Sequence, residues 1–187
     1  MIESPRRTLK RVVLAQHKNY VGLLGCLTGI AACFGYAWLR DLGENGKSFL
    51  ALSGTIVLIG PLFGMGLLAT GGIIVMGIGA LLGGKGTWRN SVSVLAYAAI
   101  PVVLALVFVL PAELAVFGSD LFQSNPGPMV IKPVPYVVLL GLDGLALLWS
   151  LLLLIEGTAV AHSLSRTKAS FVVLALAAVG TGIMKAA

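Results

Sequence analysis

Apolar residues fall along this chain in blocks, at about 20–39, 62–82, 91–110, 136–157 and 169–185, with short polar connections between most of them and a longer loop expected at 111–135, which carries five prolines and little periodicity. Blocks of roughly 17–25 apolar residues are the length a helix needs to cross a bilayer. The predicted fold is therefore an all-α integral membrane protein with five transmembrane helices. One stretch does not fit that count. Residues 49–82 are nearly all apolar, and as one helix they would reach about 51 Å against a hydrocarbon core of about 30 Å. Two full spans would need about 40 residues plus a turn. Gly60 and Pro61 offer a solution, because proline removes a helical hydrogen bond. The expectation is a kinked or broken second helix: an interfacial or re-entrant piece at 49–60, then a span at 62–82.

Before the first span, Ser4 and Pro5 mark a helix start. Leu9, Val12, Val13 and Ala15 then form an apolar stripe among Arg6, Arg7, Lys10, Arg11 and Lys18. Two readings fit residues 1–18: an amphipathic helix lying on an anionic membrane face, or a basic tail that sets orientation. The domain division is thus 1–18, a basic amphipathic segment, and 19–187, a five-helix membrane domain. The start resembles a secretory leader, but the following run ends in "GYAWLR", so 20–39 is expected to be a retained span.

Composition agrees with a membrane protein. The 187 residues are 58% hydrophobic and 11% charged, with a mean hydropathy of +0.99. A soluble surface needs about 25% charged residues. The formal net charge of +6 points to anionic lipid headgroups rather than nucleic acid, because the basic residues sit at the ends of apolar runs. With the N-terminus inside, Arg6, Arg7, Lys10, Arg11, Lys18, Lys85, Arg89, Arg166 and Lys168 are cytoplasmic, and Arg40, Lys47, Lys132 and Lys185 are outside. That asymmetry is the one expected of a multi-pass protein of the cell inner membrane with its C-terminus outside. Tyr20, Trp38, Trp88 and Tyr136 fall near the predicted interfaces, where aromatic belts form.

Sites of chemistry are sparse. "GALLGGK" at 79–85 approaches a phosphate-binding loop, but Gly86 follows the lysine where Ser or Thr is needed, and no strand precedes it. Glu156 and His162 stand six apart, which suits neither one helix face nor a zinc pattern. Glu156 is expected at the headgroups or on Arg166. Cys26 and Cys33 are expected to pack as small residues rather than to form a disulfide or metal site. Catalytic, cofactor and metal residues are expected to be absent. Gly25 and Gly29, Gly60 and Gly64, and Gly79 and Gly83 have the four-residue spacing that lets membrane helices approach closely. Tight packing within the chain is the first reading of these pairs, and a dimer through Gly25, Gly29 and Cys33 the second.

Asp143 is the exception to the apolar rule. It lies seven residues from Tyr136, about 10 Å into the core. Burying it there costs on the order of 3 kcal/mol, so it should face the bundle or a water-filled cavity. Tyr97 lies about 13 Å in from the other side, and Pro101, one turn on, frees the Tyr97 carbonyl. Depth alone predicts a polar contact between Asp143 and Tyr97.

Four segments carry a resemblance. "GGKGTW" at 83–88, "YAAIP" at 97–101, the tryptophan-bearing span "LLWSLLLLIEG" and "HSLSRTKA" at 162–169 resemble the bacterial branch of the Yip family, five-span membrane proteins named for binding Rab/Ypt GTPases in eukaryotes. The resemblance covers roughly 20–185 and implies five spans with a cytoplasmic N-terminus. Gly83, Gly84, Gly86, Tyr97 and Pro101 match family positions. It implies no catalytic residues, and GTPase binding is not expected here, because eukaryotic members use long cytosolic N-terminal regions for that work.

The first functional reading is a non-enzymatic membrane protein acting through helix packing with itself, as a homo-oligomer, or with other membrane proteins. The second is a small-solute, ion- or proton-coupled transporter or channel. Its midplane site would be formed by Asp143, Tyr97 and the helix break at Gly60-Pro61, since transporters bind substrate at interrupted helices. A membrane enzyme comes third, for want of polar residues clustered at one depth.

Overall fold

Nothing between Val21 and Leu39 is charged, and the chain forms an α-helix there, α1, in the computed structural model, which describes residues 20–45 and 49–186. A 3₁₀ turn at Leu42–Asn45 follows. The next helices are α2, Phe49–Leu81; α3, Trp88–Ala98; and α4, Ile100–Phe117, which passes into a 3₁₀ turn at Gly118–Phe122. The short α5, Pro128–Ile131, precedes α6, Pro133–His162, and α7, Arg166–Ala186. No strand occurs among the described residues. The basic segment 1–18 lies outside them.

Among the described residues, four stretches are long and apolar enough to cross a membrane: α1, α2, α3 with α4, and α6. The fold is that of an all-helical, multi-pass membrane protein. Helix α7 lies where a fifth span was expected. Its uncharged stretch between Lys168 and Lys185 is 16 residues, about 24 Å.

Two expectations about proline give way. The break at Gly60-Pro61 is absent: α2 is one helix of 33 residues with Pro61 inside it. Pro61 removes the hydrogen bond to Val57, yet Gly60 and Gly64 pack on α1 on either side of the proline, and tertiary packing of this kind outweighs local propensity. At about 50 Å long, α2 held upright would leave roughly 20 Å outside the hydrocarbon. Likewise, the third span does not stop at residue 110. It continues through Pro111 to Phe117, where 111–135 was expected to be loop. Leu110 and Leu114 pack around buried Phe117, a 4-then-3 spacing that gives this extension an inward stripe.

The chain divides into two compact units, one containing Gly66–Ala99 and Ser150–Ala187, the other Leu23–Met65 and Ile100–Trp149. In the second unit, α1 and α2 cross where Gly25 and Gly29 meet Gly60 and Gly64, close enough that a methyl at Gly29 would overlap the Gly60 carbonyl oxygen. The face considered for a dimer is thus occupied by α2 of the same chain. Ala37, Leu52, Ile56, Phe117, Leu121 and Phe122 form this unit's buried core, with Cys33 packed against it. Phe122 sits between Phe34 and Phe49, ring centroids at 6.1 and 6.3 Å, within the range of favourable ring pairs. Cys26 and Cys33 are free thiols.

In the first unit, Val75, Leu164 and Val172 form the core. Helices α2 and α6 end in the same way. Gly84 N–H bonds the Gly79 carbonyl and Gly83 N–H that of Ala80, at 2.8 and 2.9 Å; Leu164 bonds Ala159 and Ser163 bonds Val160, at 3.0 and 3.4 Å. Each is a Schellman turn, which places one residue in the left-handed region. Gly83 does so at φ +86°, and Ser163 at φ +54°. Exchanging these residue types should move stability in opposite directions. Gly83→Ala lowers it by about 1–2 kcal/mol through the Cβ penalty, whereas Ser163→Gly raises it by about 0.5–1 kcal/mol. Thermal unfolding of the two purified variants checks the signs.

Candidate functional site

The continuation of α4 past Pro111 places Glu113 one turn from the helix end. On α6, Asp143 lies ten residues from Pro133. Their side chains come within interacting distance of each other, and both are half-buried.

Glu113 and Asp143 both line a cavity of about 410 Å³ walled by α1, α4, α6 and the 118–122 turn. Phe34, Trp38, Phe122 and Tyr136 line it as well, and the remainder of the wall is aliphatic or small. The Tyr136 ring is held edge-on by Phe117 at 6.0 Å. Ligand pockets commonly measure about 300–1,000 Å³, with a few polar groups in an apolar wall. The arrangement can hold a proton or a cation against hydrocarbon. Among the described residues, no group of three or more His, Cys, Asp or Glu is gathered as a metal site.

Asp143 thus has its partner in Glu113, a residue placed in a loop by the sequence pattern. Tyr97 lies on α3, in the unit that contains Gly66–Ala99. The chain leaves α3 at Ala99, two residues before Pro101, which fits a proline that cannot bond the Tyr97 carbonyl. Gly60 and Pro61 line no part of the cavity; they belong to the α1–α2 crossing.

A second polar centre was missed. His162, set aside for its spacing from Glu156, is 1% exposed at the end of α6. Its Nε2 lies 2.9 Å from Ser91 Oγ, and Ser91 in turn is 3.2 Å from the Thr87 carbonyl. With the hydroxyl donating to Thr87, Nε2–H donates to Ser91, and Nδ1 is the bare acceptor. Nδ1 is buried with no hydrogen-bond partner among the described residues. Gly79 and Gly86 close over the ring so tightly that a Cβ at either would meet it, and a Cβ at Gly84 would press on the Gly79 carbonyl oxygen and the His162 Cβ. Lys85 N–H bonds the His162 carbonyl at 3.1 Å, and Lys168 Nζ reaches the Leu82 carbonyl at 3.0 Å. Arg166 pairs with Glu156 at 2.6 Å, as expected. The 83–88 and 162–169 segments therefore pack on each other. Gly86 is glycine because of the imidazole, Gly84 because of the Gly79 carbonyl and the His162 Cβ, and Gly83 because of its φ. Trp88 Nε1–H anchors the same loop on the Ala69 carbonyl at 3.1 Å, and Thr87 caps α3 by accepting from Asn90 N–H.

A family model described as the Yip1 domain matches residues 1–186. No curated protein and no solved structure matches the chain.

Proposed function

Because this chain belongs to the Yip1 domain family, we propose that it is a non-enzymatic membrane protein that acts by packing its helices against copies of itself or against other membrane proteins. The observation that carries this reading is the exposure of α6. Only 6% of its apolar stretch is buried within the chain, against 22% for α1, 33% for α2 and 28% for the α3–α4 span. Its buried residues, Gly157, Thr158, Ala159 and His162, are confined to one end. Over the rest, Leu145, Leu147, Leu148, Trp149 and Leu152 are all more than half exposed. Helices associate in lipid through van der Waals packing and interhelical hydrogen bonds, and α6 has the most surface left for both.

The protein is further proposed to sit in the cell inner (plasma) membrane with five spans, α7 included, the N-terminus cytoplasmic and the C-terminus outside. The excess of Lys and Arg on the cytoplasmic side supports that orientation, and the basic N-terminal segment would rest on anionic headgroups. Extraction of the native membrane into polymer-bounded nanodiscs tests the packing proposal. Discs holding this chain contain more than one protein chain, and that association is lost when Leu145, Leu148 and Leu152 are all alanine. Single chains in every disc would overturn it.

The second reading, an ion- or proton-coupled transporter, is favoured by one specific observation: the two carboxyl groups of Glu113 and Asp143 on one cavity of about 410 Å³. Ionisable groups inside membrane segments are costly and commonly mark ion or substrate pathways.

A further inference from the structure

We infer that the cavity between α1, α4 and α6 binds an organic ammonium ion, with Glu113 and Asp143 as its counter-charge and the aromatic wall around its hydrocarbon. This rests on the second reading above and names the chemical class of its ligand.

Charge complementarity comes first. Helices α1, α4 and α6 contain no lysine or arginine along their entire lengths. The 118–122 turn adds an aspartate, not a cation. The wall therefore supplies two carboxyl groups and no positive charge from its own helices. Removing a carboxylate from water without a counter-ion is expensive, and a bound cation meets that need.

The wall then selects the kind of cation. Calcium asks for six to eight oxygen ligands, and magnesium for a nearly complete octahedron that keeps several waters. Two carboxyl groups in an apolar wall provide neither. A proton alone would leave about 410 Å³ of cavity without a role. An organic ammonium ion brings its own apolar shell and so loses little hydration on entry. Phe34, Trp38, Phe122 and Tyr136 line the same space, and aromatic faces attract quaternary and alkyl ammonium groups, more strongly once water is excluded. An anion or a zwitterion with an exposed carboxylate would meet like charge at Glu113 and Asp143.

The test compares two probes of the same shape on the purified protein in uncharged detergent. Benzyltrimethylammonium carries the positive charge, and neopentylbenzene replaces its nitrogen with carbon. Trp38 emission reports occupancy, and the Trp38→Phe variant identifies which part of the signal belongs to that residue. The cation produces a saturable change in Trp38 emission at concentrations at least about tenfold lower than the neutral isostere, a factor equivalent to one decade of affinity. The double variant Glu113→Gln, Asp143→Asn, which keeps volume and hydrogen bonding, abolishes that preference. No saturable response to the cation, or an equal response to both probes, would overturn the inference. The two-probe comparison is made on the unaltered protein, so it does not depend on how a variant folds. Flux is measured separately in proteoliposomes. Proton flux without ammonium binding would leave the transport reading standing and sink this one, and binding without flux would do the reverse.

Discussion

Gly64→Ala forces α1 and α2 apart and lowers stability by about 3 kcal/mol, the upper end of what overpacking commonly costs. A Cβ at Gly64 would overlap the Gly25 carbonyl oxygen and come within 2.7 Å of the Gly29 nitrogen and Cα. Every one of these atoms is backbone, so no side chain can turn aside, and the helices themselves must separate. The gain in helix propensity from alanine, about 1 kcal/mol, is too small to offset that. Gly66→Ala is the control. It lies two residues along the same helix with nothing within 4 Å of its Cβ position, so only the propensity gain remains, and stability rises. Thermal unfolding in detergent reads both. Equal effects of the two substitutions would show that the glycine crossing does not hold these helices together.

Gly86→Ala also destabilises, and the size of its effect depends on another residue. The new methyl would overlap Nδ1 of His162 and lie 2.5 and 2.6 Å from Cε1 and Cγ. The ring cannot swing away, because it is 1% exposed and tied to Ser91 at 2.9 Å. The expected loss is roughly 1–3 kcal/mol. His162→Ala by itself costs about 2–5 kcal/mol, because it leaves a cavity in the loop-to-helix contact. In the double variant the methyl occupies part of that cavity. The two losses then fail to add by about 0.5–3 kcal/mol, the range found for residues in contact. A double-mutant cycle on the purified protein measures this coupling. Simple additivity would mean that the 83–86 loop does not rest on His162.

Much of the architecture was legible in the residues. Unbroken apolar blocks gave the helices and the membrane class, because lipid requires backbone groups to be satisfied within the segment. Polar turns at 40–48, 83–87 and 163–165 separated them. The small-residue pairs Gly25/Gly29 and Gly60/Gly64 were visible as strings, but which string meets which is a tertiary fact with no local sign. Proline misled twice. Pro61 was read as a break and Pro111 as the start of a proline-rich loop, yet both lie inside helices whose flanking residues are packed, and membrane helices tolerate proline when neighbours compensate.

The second of those errors concealed half of the site. With 111–135 read as loop, Glu113 had no depth and no helix, so Asp143 was left to seek Tyr97. The Leu110, Leu114, Phe117 stripe around Glu113 carried the missing signal. His162 was hidden for a different reason: Ser91 is 71 residues away in sequence, and the glycines over its ring are 76 to 83 residues away, so no spacing rule could join them.

The central claim is that α6 is the helix through which this protein meets others, and photo-crosslinking from its exposed face tests that most directly. A photo-reactive amino acid is placed at Leu148 on α6 or at Leu58 on α2, both exposed, and native membranes are irradiated. The account predicts protein–protein adducts from Leu148, with a second copy or with another membrane protein, and predominantly lipid adducts from Leu58. Lipid adducts alone from Leu148 would contradict it, because the least covered of the four candidate spans would then face only the bilayer.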